Sequence, residues 1–161
     1  MGQIHLICGF MGFGKTTLAK RLEKSLPAVR LTHDELMQKA YGRNPDNFDE
    51  KYKIIDDLIW EKTAKLLALS QNVILDYGFW DKKTRAEVLQ KALRLTEPQY
   101  IIWHLLDCDM AVAKARVLKR SKTDANALFI DENCFDMLAK KWQPITADEH
   151  LNVIEETNAP V

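Results

Sequence analysis

Gly9-Phe10-Met11-Gly12-Phe13-Gly14-Lys15-Thr16 matches the pattern G-x-x-x-x-G-K-[ST]. A phosphate chain needs several N–H donors converging on it, and glycines let the main chain turn tightly enough to supply them. A helix starting at Lys15 points its positive end at the same place. Lys15 adds a mobile point charge for the β- and γ-phosphates, and the Thr16 hydroxyl is suited to ligate Mg²⁺. The motif also needs a strand before it and a helix after it. Gln3–Cys8 (QIHLIC) reads as that strand, and Lys15–Leu26 as that helix, stopped by Pro27. The stretch is therefore read as a nucleotide site, with Gly9, Gly12, Phe13, Gly14, Lys15, Thr16 and Thr17 as the nucleotide-binding residues.

Outward from this loop, apolar runs alternate with helical patterns, the rhythm of βαβ units around a parallel sheet. Ala28–Leu31 is a short second strand. Asp34–Tyr41 is a short helix, interrupted by Gly42-Arg43-Asn44-Pro45. Asp49–Leu69 is free of Gly and Pro, with Ile55, Leu58, Ile59, Leu66 and Leu69 near helical spacing. Asn72–Leu75 reads as strand three, Asp81–Leu95 as a helix, and Tyr100–Leu106 (YIIWHLL) as a central strand buried on both faces. Helices are expected over Met110–Lys122 and Asp131–Trp142, and a last strand over Leu151–Ile154. The expectation is an α/β, three-layer domain with five strands.

The chain has 161 residues, with 23 Lys+Arg against 23 Asp+Glu, 47% hydrophobic and 29% charged. That length suits one domain spanning 1–161, and the composition excludes disordered, collagen-like and coiled-coil classes. Zero formal net charge removes the electrostatic case for nonspecific binding to nucleic acid or anionic membrane, leaving only a local basic groove open. Cys8, Cys108 and Cys134 form no C-x-x-C pair and read as small buried hydrophobes. No apolar run approaches the ~20 residues of a membrane span. No basic-then-apolar leader is visible, so the expected compartment is the cytoplasm. The four histidines lack metal-ligand spacing; His5 and His104 fall inside strands and read as core. No protein-bound metal is expected beyond Mg²⁺ carried with the nucleotide. The N-K-x-D segment of GTPases is missing, and 161 residues are too few for a large motor. A small single domain with one phosphate loop and a long helical insertion after strand two points instead to phosphoryl transfer onto a small acceptor.

Such a transfer demands positioning, charge neutralisation and an acceptor-orienting base. Asp34 follows the second strand in Leu31-Thr32-His33-Asp34-Glu35, on the side of the sheet where the phosphate loop lies. It could accept the proton of an attacking hydroxyl. Thr32-x-x-Glu35 is equally a capping box, in which Asp34 would merely favour the helix dipole. Asp76 ends Val73-Ile74-Leu75-Asp76, a loose Walker B pattern that puts a carboxylate where it can hold Mg²⁺ or its water. Tyr77-Gly78-Phe79-Trp80 either lines an acceptor pocket or packs beneath the next helix. Arg116 and Arg120, at i and i+4, share a helix face. Ser121–Asn126 beyond them lacks apolar residues apart from Ala125, as a mobile lid over about 112–130 would. A solvated basic face is the other reading of that helix.

Together these residues resemble the small P-loop kinases grouped with chloramphenicol phosphotransferase, zeta toxin and the kinase domain of phage polynucleotide kinase. Many members of the group are described as predicted kinases or AAA-type ATP-binding proteins. The resemblance runs from the phosphate loop through Thr32-His33-Asp34-Glu35-Leu36 to Val73–Trp80, with Arg85 beyond. It continues through Leu106-Asp107, Arg116-x-x-x-Arg120 and Trp142-Gln143-Pro144 to Asp148-Glu149. It implies a strand order 2-3-1-4-5, ATP and Mg²⁺ as cofactors, and Asp34 as acceptor base. It further implies a lid carrying Arg116 and Arg120 against the nucleotide, and Asp76 beside Thr16 at the metal. Where polynucleotide kinases carry an arginine three residues after the base, this chain has Met37, which disfavours a nucleic-acid acceptor.

The expected activity is therefore ATP-dependent transfer of the γ-phosphoryl group to a hydroxyl of a small molecule, with Asp34, Lys15 and Arg120 catalytic. An ATP-binding regulatory module and a 5′-hydroxyl polynucleotide kinase are the competing readings. The residues specify neither the acceptor nor the oligomeric state.

Overall fold

A computed structural model describes residues 1–157. The expected domain 1–161 runs past these, and 158–161 lie outside the described residues. Five strands alternate with helices: β1 Ile4–Cys8, α1 Lys15–Ser25, β2 Ala28–Thr32, α2 His33–Tyr41, α3 Phe48–Ala68, β3 Asn72–Gly78, α4 Lys82–Leu93, β4 Ile101–Leu106, α5 Met110–Thr123, α6 Glu132–Ala139 and β5 Val153–Glu156. All pairings are parallel, in the order β2-β3-β1-β4-β5. The order implied by the resemblance is the order found.

Side chains alternate across each strand, so the sheet carries two apolar faces. One joins Ile4, Leu6, Leu75 and Trp103 to Met37 of α2, Ile55 and Ile59 of α3, and Val88 of α4. The other joins Ile7, Ile74 and Leu106 to Leu18 of α1, Val117 of α5 and Phe135 of α6. A strand enclosed on both faces reads as a near-continuous apolar run, and β1, in the middle of the sheet, is buried at every position and apolar except at His5.

Three expectations are corrected here. The most apolar strand, β4, lies between β1 and edge strand β5 rather than at the centre, and Ile102 and Leu105 are only half-buried. In α3, Ile55 and Ile59 enter the core, whereas Leu58 and, just past the helix end, Leu69 are 55% and 70% exposed. The helix covers the sheet with one narrow stripe, and these two leucines lie off it. The Thr32–Glu35 capping box does not form: no side chain caps α2. The Thr32 hydroxyl instead donates to Asp76, and Glu35 pairs with Arg30 at 3.0 Å. Smaller shifts affect element ends. Helix α6 stops at Ala139, and β5 begins at Val153 rather than Leu151. Of the cysteines, only Cys8 is fully buried.

Two polar clusters are enclosed by the fold. Arg85, fully buried, donates through Nε and Nη2 to Glu149 at 2.7 and 3.0 Å. Its Nη1 donates to Phe79 O at 2.8 Å and Gln143 O at 2.7 Å. Burial pushes the Glu149 carboxyl up, but Arg85, the Thr146 amide and Lys82 together hold it below its ordinary range. The guanidinium thus fastens the exit of β3 to the 143–149 segment. Beneath the sheet, His5 Nδ1 and His104 Nε2 share a hydrogen bond of 2.9 Å, and His104 Nδ1 lies 2.8 Å from Glu156.

Removing one partner of a buried ion pair strands the other, at a cost of about 3–5 kcal/mol. Arg85→Ala is therefore expected to lower unfolding stability by that order, measured as a reduced urea midpoint with an unchanged slope. The His5 cluster sets an acid dependence. Burial, with His104 adding to it, takes His5 down from 6.5 to about 4. Between those values the unfolded chain holds a proton that the folded protein does not, so stability falls as pH drops through that window. His5→Gln is expected to show a shallower loss of stability from pH 7 to 5 than the parent in urea titrations.

Candidate active site

The carboxyl ends of β1, β3 and β2 deliver the loop and two acidic residues to one edge of the sheet. Loop Gly9–Gly14 turns back on itself because Gly12 and Gly14 adopt φ of 79° and 93°, where a side chain would be strained. A Cβ on Gly12 would lie 2.5 Å from Ala113 O of α5, so the loop packs directly on that helix. Phe10 and Phe13 anchor the turn from below. Both are buried, with Phe10 edge-on to Phe135 at 5.3 Å and Phe13 edge-on to Trp142 at 5.4 Å. Any phosphate contact by Phe13 therefore falls to its main chain. Gly14 caps α1 in left-handed backbone, a loop-to-helix start of the kind that receives an anion.

Thr16 Oγ1 donates to Asp76 Oδ2 at 2.8 Å, and Thr32 Oγ1 donates to the same oxygen at 3.3 Å. Burial raises the Asp76 carboxyl, opposed by Lys15 and the two hydroxyls. Lys15 Nζ donates to Phe10 O at 3.1 Å. Burial lowers its ammonium, with Asp76 and Asp34 pulling the other way and Arg120 adding to the depression. Lys15, Thr16, Asp34, Asp76 and Arg120, predicted from separate segments, thus share one electrostatic neighbourhood. The hard oxygens of Thr16 and Asp76, side by side at the helix start, fit a small divalent cation such as Mg²⁺.

Arg116 and Arg120 are both exposed on α5. Arg116 Nη1 donates to Gly12 O at 3.2 Å, which ties the helix to the loop rather than leaving it a free solvated face. Thr17 is exposed beside a shallow groove shared with Lys20 and Lys24, and it does not line the cavity that Lys15 and Asp34 share. The 121–126 stretch is exposed from Lys122 to Asn126 but anchored at its start. Helix α5 continues to Thr123, and Ser121 is buried, its Oγ accepting from Ile130 N at 2.9 Å.

Next to the loop lies a cavity of about 710 Å³. Lys15 and Asp34 line it at the loop end, and Tyr77, Phe79 and Trp80 form part of its wall. The aromatic patch after β3 thus borders a hollow. Tyr77 and Phe79 stack at 5.0 Å, although Phe79 has to take φ of 50°. That strained turn is held by Arg85 and by the Cys8 thiol on Phe79 O, and by Gly9 N donating to Gly78 O at 3.0 Å. Burial pushes the Cys8 thiol up to about 12, so it packs rather than reacts.

Sequence reasoning missed the opposite wall. Arg43, Phe48 and Tyr52, from the α2–α3 connection and the start of α3, line the cavity, as does Phe129. Tyr52 stacks on buried His33 at 3.8 Å, and His33 Nε2 donates to Tyr52 O. Burial lowers the imidazole of His33 and raises the Tyr52 phenol. No motif marks these residues. The only sequence signal was an aromatic pair, Phe48 and Tyr52, one turn apart at the start of a helix.

A glycine-rich turn between a central parallel strand and a helix, with Lys15 and Thr16 at the helix start and Asp76 on the neighbouring strand, defines a P-loop nucleotide-binding protein with a kinase-like fold. Residues 4–145 match the family model of an AAA domain, and the chain belongs to that family. No curated protein matches it. Among solved structures it is similar to a candidate kinase from Chloroflexus aurantiacus, at TM-score 0.76 and 18% identity over 98% of this chain and 89% of that one. It is similar to Chaetomium thermophilum Kti12 in complex with ADP-AlF3, at TM-score 0.72 and 14% identity over 94% and 88% of the two chains. A gluconokinase from Sinorhizobium meliloti aligns at TM-score 0.60 and 12% identity over 96% and 81%. Among the described residues, no helix is long and apolar enough to cross a membrane.

Proposed function

We propose that this protein is an ATP-dependent kinase that transfers the γ-phosphoryl group to a hydroxyl of a small-molecule acceptor. The observation that carries this reading is that Lys15 and Asp34 line one aromatic-walled cavity next to the phosphate loop. A regulatory nucleotide-binding module needs no such hollow beside Asp34. The kinase-like neighbours support phosphotransfer in general, and the acceptor is inferred from the cavity alone. A volume of about 710 Å³ suits a small molecule. Met37, fully buried in α2, offers nothing to an acceptor phosphate, in keeping with a non-nucleic-acid acceptor.

In this reading the loop amides and Lys15 bind the triphosphate, and Thr16 and Asp76 would hold Mg²⁺, which would supply charge neutralisation. Asp34 orients the acceptor hydroxyl and takes its proton as the oxygen bonds to the γ-phosphorus. The bond to the β–γ bridging oxygen breaks, and ADP leaves. Arg120, close enough to Lys15 to perturb it, stabilises charge on the transferring group from the α5 side. The 112–130 region then acts as the lid, excluding water that would otherwise compete with the acceptor. The protein would work where ATP is plentiful, with the cytoplasm as its proposed compartment.

Lys15→Ala is expected to weaken MgATP binding at least about tenfold, some 1.4 kcal/mol, in a calorimetric titration; unchanged affinity would remove the nucleotide site. The acceptor is sought by incubating a panel of sugars, nucleosides and hydroxylated antibiotics with γ-labelled ATP. With the compound so found, Asp34→Asn is expected to slow single-turnover transfer by about 10²–10⁴, the span of general-base catalysis. Nucleotide affinity should stay close to the parent. A loss below about tenfold would remove Asp34 as the base.

A further inference from the structure

Gly42-Arg43-Asn44-Pro45 interrupts the helical region between α2 and α3, and nothing in its composition suggests a function. In the folded chain Arg43 lines the cavity. Its Nε donates to Ala127 O at 2.7 Å and its Nη2 to Ser121 O at 2.8 Å. Its own carbonyl accepts from Phe129 N at 3.1 Å. Three bonds therefore join one short connection to both ends of the 121–129 segment.

The chemistry at each end differs. Ser121 O belongs to the last turn of α5, where carbonyls lack helical partners and the helix end is negative; a cation there satisfies both. Ala127 O lies in the irregular chain beyond the helix. A planar guanidinium fork can hold both oxygens at once and stays charged at any working pH, whereas an ammonium is a single point donor. Arg43 and Phe48 line the cavity, and so do Leu128, Phe129 and Ile130 of the segment that Arg43 holds. Ser121 directly follows Arg120 on α5. The same helix therefore carries the phosphate-side arginine and the carbonyl that Arg43 holds.

We propose that Arg43 is the positioning residue that couples the acceptor wall to the lid. It holds 121–130 over the cavity, so ordering of α5 by nucleotide is transmitted to the 42–48 wall, and filling of that wall seats Arg120. Arg43 touches neither reacting group and acts through Ser121 and Ala127. The purpose of the coupling rests on the kinase reading given above; the tie itself does not.

Hydrogen exchange measured by mass spectrometry on the full chain separates the two. Without ligand, Arg43→Ala is expected to speed exchange in 124–130 and 42–48 by about tenfold or more, as for loss of bonds that close a local opening. Arg43→Lys should recover only part of the protection, because one donor replaces a fork. A non-hydrolysable ATP analogue with Mg²⁺ should slow exchange across 116–130 in the parent and extend that slowing to 42–48. In Arg43→Ala the slowing should stop at the lid. Unchanged ligand-free exchange in both variants, or protection that still reaches 42–48 without Arg43, overturns the proposal. If the analogue protects nothing in the parent, the kinase reading and the coupling fall together, while the ligand-free comparison still decides whether Arg43 holds the segment.

Discussion

The pairing of β1 with β3 is the constraint on which the rest of this structure depends. Their parallel register sets Ile7 opposite Asp76 and lets Gly9 N reach Gly78 O. The strand that feeds the loop and the strand that carries the acidic residue therefore end at the same level. Thr16, one step into α1, meets Asp76 at 2.8 Å as a consequence. A slip of one residue would turn Asp76 to the other face and leave a buried carboxylate without its hydroxyl donors. The site is a by-product of correct sheet assembly, which is why its polar groups can lie so deep in an otherwise apolar core.

A second demand follows from the first. The chain leaving β3 has to turn sharply at Gly78 and Phe79 to keep its aromatic side chains beside the loop, and Phe79 takes up left-handed backbone to do so. Arg85 satisfies the carbonyl exposed by that turn and, through Glu149, fastens the distant 143–149 segment to the same place. A buried charge of this kind is tolerated only when nearly all its donors are used, and here four carbonyl or carboxylate groups surround it. Arg85 does not line the cavity, yet the cavity's aromatic wall relies on it. The same logic holds on the opposite side, where Arg43 meets main-chain carbonyls and not a ligand.

Along the chain, Gly9–Thr16 already carried the phosphate-loop motif, because such a loop is a local structure whose residue types and spacing are dictated by the anion it is built to wrap. The alternation of apolar runs with helices carried the α/β class for a similar reason: burial on both faces of a parallel sheet demands it. The positions of Asp34 and Asp76 beside the loop were legible as well, since one lies just past β2 and the other near the end of β3, and parallel strands end together. Other assignments depended on which partner a side chain would find. Thr32 could cap α2 or bond Asp76, and only the lateral pairing of β2 with β3 chose the second. The helical spacing of Leu58 and Leu69 could not tell a core stripe from its margin. The cavity wall, and the tie from Arg43 to a carbonyl 84 residues away, left no periodic or compositional trace. A main-chain oxygen looks the same at every position, so which one a guanidinium meets is settled only when distant segments pack against each other.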